Sequence, residues 1–378
     1  MRNRHFITAL AIFTFTIFVS FPIISIASEQ RTDSQMKYKG VVYDVGLRFN
    51  ENGSLSVEPF DPELVKYDIN TIAKDLNANT IRIEGEDINR LVVTARAAHA
   101  AGLTVYFNPW KMNVPIEQLP SYYRKAAKAA EVLRKEGVDI LFVAGCEISL
   151  FNQGILPGNT LMERIGWMGS LANQSDASQI LNDRSKRLNN VLRNITEAVK
   201  KEFSGLITYA SGTWEMVDWN LFDIVGVDYY RSGETSSDYI NGLKRFQIDK
   251  PLVVMEVGSC AYKGASKLGA GCFALLQGVN SDGTGKYLND DIPERSETEQ
   301  ANYVDEQLNL INQAGADGVF IYVFSFPTYR FGNGEKDLDK MSFSLVKTYP
   351  KSDPRAMQIP PWRPKESFYK VAQFFKNN

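Results

Sequence analysis

Short apolar runs alternate with longer amphipathic stretches along most of this chain. The apolar runs, rich in Val, Ile, Leu and Phe, predict eight β-strands at 40–43, 79–83, 103–107, 139–144, 205–210, 223–228, 251–256 and 318–324. Most of the stretches between them have helical periodicity and predict helices over 62–76, 87–101, 116–136, 181–203, 239–246, 297–314 and 368–375. Polar loops are predicted over 151–178 and 258–294.

This alternation predicts a single (β/α)₈ TIM barrel over residues 38–378. The strands are nearly continuous apolar runs, as expected for strands that are buried on both faces. The alternative is an open, doubly wound sheet, which would carry a glycine-rich phosphate-binding motif after a strand. No GxGxxG or GxxxxGKS/T motif follows any predicted strand, so the barrel is favoured.

The N-terminal 27 residues have the pattern of an export signal. Arg2 and Arg4 precede an uncharged run over 6–26, and Ser25 and Ala27 supply the small residues expected before a cleavage site. The run is also long enough to span a bilayer, so a retained membrane anchor is the alternative to a cleaved signal peptide. In either case we expect the rest of the chain to be secreted or extracytoplasmic. It would meet the membrane only through this segment, if uncleaved.

The amino-acid composition limits the classes of partner and of catalytic site that this chain can have. The 378 residues include 42 Lys+Arg, 44 Asp+Glu and two His, with a net charge of −2. The absence of a basic excess argues against a nucleic-acid partner. Scarce histidine leaves few residues for a histidine metal centre or a Ser-His-Asp triad, so we expect no metal and no cofactor.

Two of the three cysteines are candidates for a disulfide. Cys260 and Cys272 are 12 residues apart in a glycine-containing loop. Outside the cytoplasm they would pair, and the bridge would stabilise the fold by roughly 3 kcal/mol on a chain-entropy model. The alternative is two unpaired thiols.

Polar and aromatic residues stand where the predicted strands end, which is where barrels of this kind build their active sites. Glu147 and Glu256 directly follow the apolar runs LFVAGC and PLVVM. Packing does not explain them, because a buried, unpaired carboxylate costs several kcal/mol. The other candidates at strand ends are Arg82, Asn108, Trp110, Trp214, Tyr229, Tyr230 and Tyr322. Aromatic faces stack on sugar rings and polar groups bind hydroxyls, so this mixture predicts a carbohydrate ligand.

Two carboxylates that face each other across a glycosidic bond are the usual machinery of glycoside hydrolysis. One carboxyl group, held protonated, donates to the leaving oxygen. The other attacks the anomeric carbon or activates water. The distance between them decides between retention and inversion, and the residues alone leave that choice open.

The order of these motifs resembles clan A of the glycoside hydrolases, a group of retaining enzymes with (β/α)₈ barrels. GCEISLF and VVMEVGS resemble the clan's strand-four and strand-seven motifs, which implies that Glu147 is the acid/base and Glu256 the nucleophile. Arg82 in TIRIEGE resembles the strand-two Arg that supports the nucleophile. Tyr229 or Tyr230, in VGVDYYR, resembles the strand-six Tyr that donates a hydrogen bond to it. The resemblance spans the predicted barrel and implies an exported retaining glycosidase.

Two departures from the clan pattern keep alternatives open. Cys146 stands where the clan has an Asn that binds the substrate 2-hydroxyl, and a thiol is a weak hydrogen-bond partner. Asn108 is a candidate replacement. The strand-eight Trp is also missing, and Tyr322 or Phe324 occupies that region. The alternatives are a glycan-binding barrel without catalysis, and a transglycosidase in which a sugar hydroxyl replaces water.

Overall fold

A closed barrel of eight parallel strands forms the centre of the structure. The computed structural model describes residues 36–49, 53–171 and 174–378, so the predicted export segment lies outside the described residues. The barrel strands are β1 (Tyr38–Asp44), β2 (Thr80–Gly85), β3 (Thr104–Pro109), β4 (Ile140–Cys146), β5 (Ile207–Gly212), β6 (Val225–Asp228), β7 (Leu252–Val257) and β10 (Gly318–Ile321). They follow one another around the barrel in chain order, and β10 closes it against β1. The predicted (β/α)₈ barrel is confirmed.

Helices surround the barrel. They are α1 (Pro62–Lys74), α2 (Ile88–Ala100), α3 (Leu119–Lys135), α4 (Ile148–Phe151), α5 (Leu161–Ser170), α6 (Ala177–Lys200), α7 (Ser236–Lys244), α8 (Glu297–Gln313) and α9 (Glu366–Asn377). The start of α1 illustrates how sequence fixes a boundary, because the Asp61 side chain accepts the Glu63 N–H and Pro62 occupies the first turn. Within the described ranges, the helices lack the combined length and apolar character that crossing a bilayer requires.

Side-chain alternation along the strands divides the core into two layers. Outward-facing side chains pack against the helices, whereas inward-facing ones such as Val42, Tyr106, Leu141, Met255 and Phe320 fill the barrel. Residues two apart on a strand share a face. Asp44 and Asn108 continue the inward rows of β1 and β3, whereas Cys146 and Glu256 reach the same end of the barrel beside register shifts in their strand pairs.

One predicted loop contains a helix. The segment after β4, predicted as a polar loop, holds α5. A capping box begins this helix: the Thr160 side chain accepts the Glu163 N–H, and the Glu163 side chain accepts the Thr160 N–H. The loop prediction was wrong here because the polar composition hid this cap.

The loop after β7 is folded upon itself. Cys260 and Cys272 form a disulfide there, with their Cα atoms 5.9 Å apart. The same loop contains a two-stranded hairpin of β8 (Leu276–Val279) and β9 (Gly285–Tyr287). A second pair, β11 (Val346–Thr348) with β12 (Trp362–Pro364), lies between β10 and α9. The first of these segments follows β7 in the chain, and the second follows β10. The disulfide of the first segment begins three residues after the carboxyl end of β7.

Candidate active site

Strand register brings polar residues at the carboxyl ends of the strands to one height. Asp44 on β1 pairs with Glu84 on β2, which pairs with Asn108 on β3. On the other side of the barrel Asp228 on β6 pairs with Glu256 on β7. All five side chains are buried. A cavity of about 560 Å³ lies at the opposite, amino-terminal end of the barrel and includes none of them.

Glu256 is held by two donors from different strands. Arg82 Nη1 donates to its Oε1 at 3.0 Å, and the Tyr230 hydroxyl donates to its Oε2 at 3.0 Å. The residue is 8% exposed. The guanidinium supplies a positive partner, and the two contacts together fix the plane of the carboxylate.

Arg82 is itself fully buried and fixed. Its Nε donates to Asn108 Oδ1 at 2.9 Å, and its Nη1 donates to the Met255 carbonyl at 2.9 Å. The Asn108 side chain is fully buried, its Oδ1 orients Arg82, and its Nδ2 has no hydrogen-bond partner among the described residues. A contact of Asn108 with substrate stays a prediction.

Three carboxyl groups lie within 4 Å of the Arg82 guanidinium. Its guanidinium lies 3.0 Å from Glu256, 3.4 Å from Glu84 and 3.9 Å from Asp228. Burial raises the pKa of Glu84 and that of Asp228 well above the ordinary range. The Arg82 charge lowers both pKa values, and Glu256 is the carboxylate closest to the guanidinium.

Glu147 follows β4 in a turn that has positive φ angles at Gly145 and at Glu147 itself. Gly145 has φ +122, and a Cβ at this position would lie 2.6 Å from Ile148 Cδ1. Glu147 has left-handed backbone angles, φ 40 and ψ 45, and its N–H donates to the Ala210 carbonyl at 2.9 Å. Burial raises the pKa of Glu147 well above its usual range, and the negative charges of Asp228 and Glu256 raise it further. The group is thus suited to donate a proton.

Cys146 lies between two of the carboxylates. Its Sγ is 3.5 Å from Glu256 Oε1 and 3.6 Å from Asp228 Oδ2. Burial raises the pKa of the thiol, so it stays neutral and acts as a weak donor. Among the described residues, these three ligand atoms lie within 4.8 Å of one another and could hold a metal ion. Such an ion would compete with Arg82 and Tyr230 for Glu256.

Adjacent tyrosines after β6 have different places. Tyr230 reaches Glu256, whereas the Tyr229 ring packs against Tyr239 with 4.8 Å between ring centroids and against Phe246 at 6.0 Å. Neighbouring side chains at a strand end diverge. The structure therefore removes Tyr229 from the predicted site.

The two tryptophans that we predicted to stack on sugar rings both contact other side chains of the protein. Trp110 is 3% exposed and packs edge-on against Phe151, with ring centroids 4.9 Å apart. Trp214 is half-buried, and its Nε1 donates to Ser149 Oγ at 3.0 Å. Trp110 is thus buried in this structure and Trp214 is tied to the turn that follows Glu147, and stacking of either ring on a sugar stays a prediction.

Aromatic residues at the mouth come partly from an unexpected segment. Tyr322 is half-buried, and besides burial the charges of Glu84 and Glu256 raise its pKa. Phe343 lies against the rings of Tyr322 and Tyr230, with centroids 5.8 and 5.9 Å away. The strand-end argument missed Phe343, because it lies in the segment between β10 and β11.

Comparisons with known proteins were made for the sequence and for the structure. No protein-family model and no curated protein matches the sequence. The structure is similar to that of a GH113 beta-1,4-mannanase, with a TM-score of 0.58 and 14% identity over 91% of this chain and 100% of that chain. GH113 beta-mannanase AaManA from Alicyclobacillus acidocaldarius gives 0.53 and 14%, covering 91% and 98% of the two chains. A GH5_18 structure from Streptomyces cattleya in complex with GlcNAc gives 0.56 and 13%, covering 91% and 81%.

The likeness is one of fold. At 13–14% identity, these structures establish the barrel architecture and agree with the fold that the clan A resemblance implies.

Proposed function

We propose that this chain is a glycoside hydrolase that cleaves an oligo- or polysaccharide with retention of configuration, with Glu256 as nucleophile and Glu147 as acid/base. One observation carries the proposal. Glu256 has a cation and a hydroxyl on its two oxygens, whereas Glu147 is half-buried, and burial and the charges of neighbouring carboxylates raise its pKa. The fold neighbours support it, since two of them are named as beta-mannanases.

The first step would form a glycosyl ester. An oxygen of the Glu256 carboxylate attacks the anomeric carbon, and the bond from that carbon to the leaving oxygen breaks. Glu147 gives its proton to the leaving oxygen, which departs as an alcohol. Arg82 and Tyr230 hold the attacking carboxylate during this step.

The second step would regenerate both carboxyl groups. The oxygen of a water molecule attacks the anomeric carbon from the side that the leaving group vacated, and the bond to Glu256 breaks. Ionised Glu147 takes the proton from the attacking water. If a sugar hydroxyl attacks instead, the same residues act as a transglycosidase.

Cys146 favours a second candidate, a barrel that binds glycans without cutting them. Its thiol occupies the space beside Glu256, where the clan pattern has an amide for the substrate 2-hydroxyl. That hydroxyl contact strengthens in the transition state of glycoside hydrolysis, so its loss weakens catalysis more than binding.

We also propose that the protein works outside the cytoplasm, either secreted or held by its N-terminal segment. The apolar run over 6–26 supports this. The Cys260–Cys272 disulfide is compatible with it, because disulfides persist in oxidising compartments.

Product analysis with an oligosaccharide panel tests the proposal. The purified protein is incubated with β-1,4-mannan, β-glucans, xylans, galactans and N-acetylhexosamine polymers, and products are identified by mass spectrometry. We expect cleavage that Glu256→Ala abolishes, with the Tyr229→Phe variant as an active control. We expect NMR of early products to show the original anomeric configuration; an inverted configuration rejects the retaining mechanism. Saturable binding without cleavage, unchanged in Glu256→Ala, supports the binding barrel instead.

A further inference from the structure

Three consecutive backbone N–H groups after β4 are fixed by β5 and the residues that follow it. The Glu147 N–H donates to the Ala210 carbonyl at 2.9 Å, and the Ile148 N–H donates to the hydroxyl oxygen of Tyr209 at 2.8 Å. The Ser149 N–H donates to Glu215 Oε1 at 3.1 Å. The turn that carries the proposed proton donor is thus clamped from one side.

Glu215 connects two of these contacts. Its Oε1 accepts from Ser149, and its Oε2 accepts the Tyr209 hydroxyl at 2.9 Å. The Tyr209 hydroxyl oxygen in turn accepts the Ile148 N–H. Trp214, which precedes Glu215 in the chain, donates to Ser149 Oγ. A single buried carboxyl group therefore holds the first turn of α4 both directly and through a tyrosine.

This turn needs external support. Glu147 has left-handed backbone angles, which are unfavourable for a residue with a side chain unless surrounding contacts impose them. α4 has only four residues, so it adds little stability of its own. The clamp from β5 is what keeps the Glu147 side chain at the strand end.

Glu215 has no room to touch a sugar. It is 5% exposed, and the cavity beside it, lined also by Leu181 and Leu188, has a volume of about 10 Å³. Such a cavity holds about one water molecule at most. Any effect of Glu215 on the reaction must therefore act through other residues, and its hydrogen bonds lead to the turn that carries Glu147.

We propose that Glu215 is a positioning residue that holds Glu147 where it can protonate the departing oxygen. The proposal rests on the function proposed above. It predicts a loss confined to reactions that need the proton, because Glu256 and its partners Arg82 and Tyr230 do not contact this clamp.

Leaving-group dependence measures the proposed role. The substrates are aryl glycosides of the sugar that the panel identifies, one with a 2,4-dinitrophenyl group, which leaves without protonation, and one with an unsubstituted phenyl group, which requires it. For Glu215→Ala we expect kcat/KM to fall about 10- to 100-fold on the phenyl glycoside and less than about threefold on the dinitrophenyl glycoside. Glu215→Gln, which keeps an oxygen acceptor, should recover part of the loss.

Asp68→Ala is the matched control. Asp68 is also buried, accepts the Tyr43 hydroxyl at 2.9 Å and Trp362 Nε1 at 2.9 Å, and has a pKa raised by burial to about 7, as does Glu215. It lies on α1, outside the barrel. This control should change kcat/KM equally on both substrates.

An equal loss on both substrates in Glu215→Ala overturns the positioning role. If Glu215→Ala does not fold, Tyr209→Phe removes the acceptor for the Ile148 N–H and answers the same question by the same ratio. Glu147→Ala separates the two hypotheses. If it shows no leaving-group dependence, the proposed function fails; if it does and Glu215→Ala does not, only the positioning role fails.

Discussion

Removing one hydroxyl group tests whether Glu256 is the nucleophile. Tyr230→Phe deletes the donor to Glu256 Oε2, at 3.0 Å, and leaves the Arg82 contact with Oε1 in place. A hydrogen bond to a charged group contributes about 1.5–3 kcal/mol. If that bond is retained in the transition state, its loss lowers kcat/KM by about 10- to 150-fold, since each 1.36 kcal/mol is tenfold in rate.

Tyr229→Phe is the matched control, one residue away. The Tyr229 hydroxyl donates to the Tyr239 carbonyl at 3.4 Å, outside the barrel, so its loss should leave kcat/KM within about twofold. Steady-state kinetics on the cleaved glycan give kcat and KM for both variants, and urea unfolding verifies that both are folded. If Tyr230→Phe behaves like Tyr229→Phe, the orientation of Glu256 does not limit the reaction, and the assignment of Glu256 as nucleophile is refuted.

Three further predictions concern pH and stability. Because burial and neighbouring carboxylates raise the pKa of Glu147, kcat/KM on a phenyl glycoside should stay high above the ordinary glutamate range and fall as pH rises through that pKa; a pH–rate profile that lacks this alkaline limb contradicts the proton-donor role. Asp68 has a folded pKa of about 7 against 3.8 in its ordinary state, so its contribution to stability is present at low pH and is lost as pH rises to about 7. Between pH 5 and pH 8, the free energy of unfolding of the unsubstituted protein should fall by roughly 3 kcal/mol more than that of Asp68→Asn. Urea unfolding at the two pH values measures this difference. Replacing Cys260 and Cys272 with Ser opens a loop of 12 residues and should lower the free energy of unfolding by roughly 3 kcal/mol, whereas Cys146→Ser leaves that loop closed.

Sequence was sufficient for the parts of the site that the strands determine. Parallel strands in a closed barrel bring their carboxyl ends to one rim, so a Glu directly after an apolar run has to lie there. Glu147 and Glu256 do, and Arg82 faces Glu256 because its strand alternates inward at that residue. The placement of Arg82 follows from its strand boundary and the two-residue period of side chains, whereas Glu256 follows the inward-facing Met255 at a register shift that the period does not predict.

The remaining features depend on tertiary contacts that have no local signature. β6 ends at Asp228, so the two-residue alternation of side chains does not extend to Tyr229 and Tyr230. It therefore did not predict which of the two tyrosines contacts Glu256. The burial of Trp110 depends on Phe151, which lies 41 positions further along the chain. Glu215 was overlooked because it follows β5 by three residues and reaches back to the turn after β4, a contact that only the folded barrel creates.

Environment, rather than residue type, distinguishes the two glutamates in the proposed mechanism. Glu256 receives a guanidinium on one oxygen and a phenol on the other, both from side chains that the barrel holds rigidly. Glu147 has no such cation at hydrogen-bond distance among the described residues; burial and the charges of Asp228 and Glu256 raise its pKa. Exchanging the partners would exchange the roles, because an attacking carboxylate needs a compensating positive charge and a proton donor needs its absence. In the proposed mechanism, Arg82, placed on β2 and held by Asn108, therefore assigns the attacking role to Glu256.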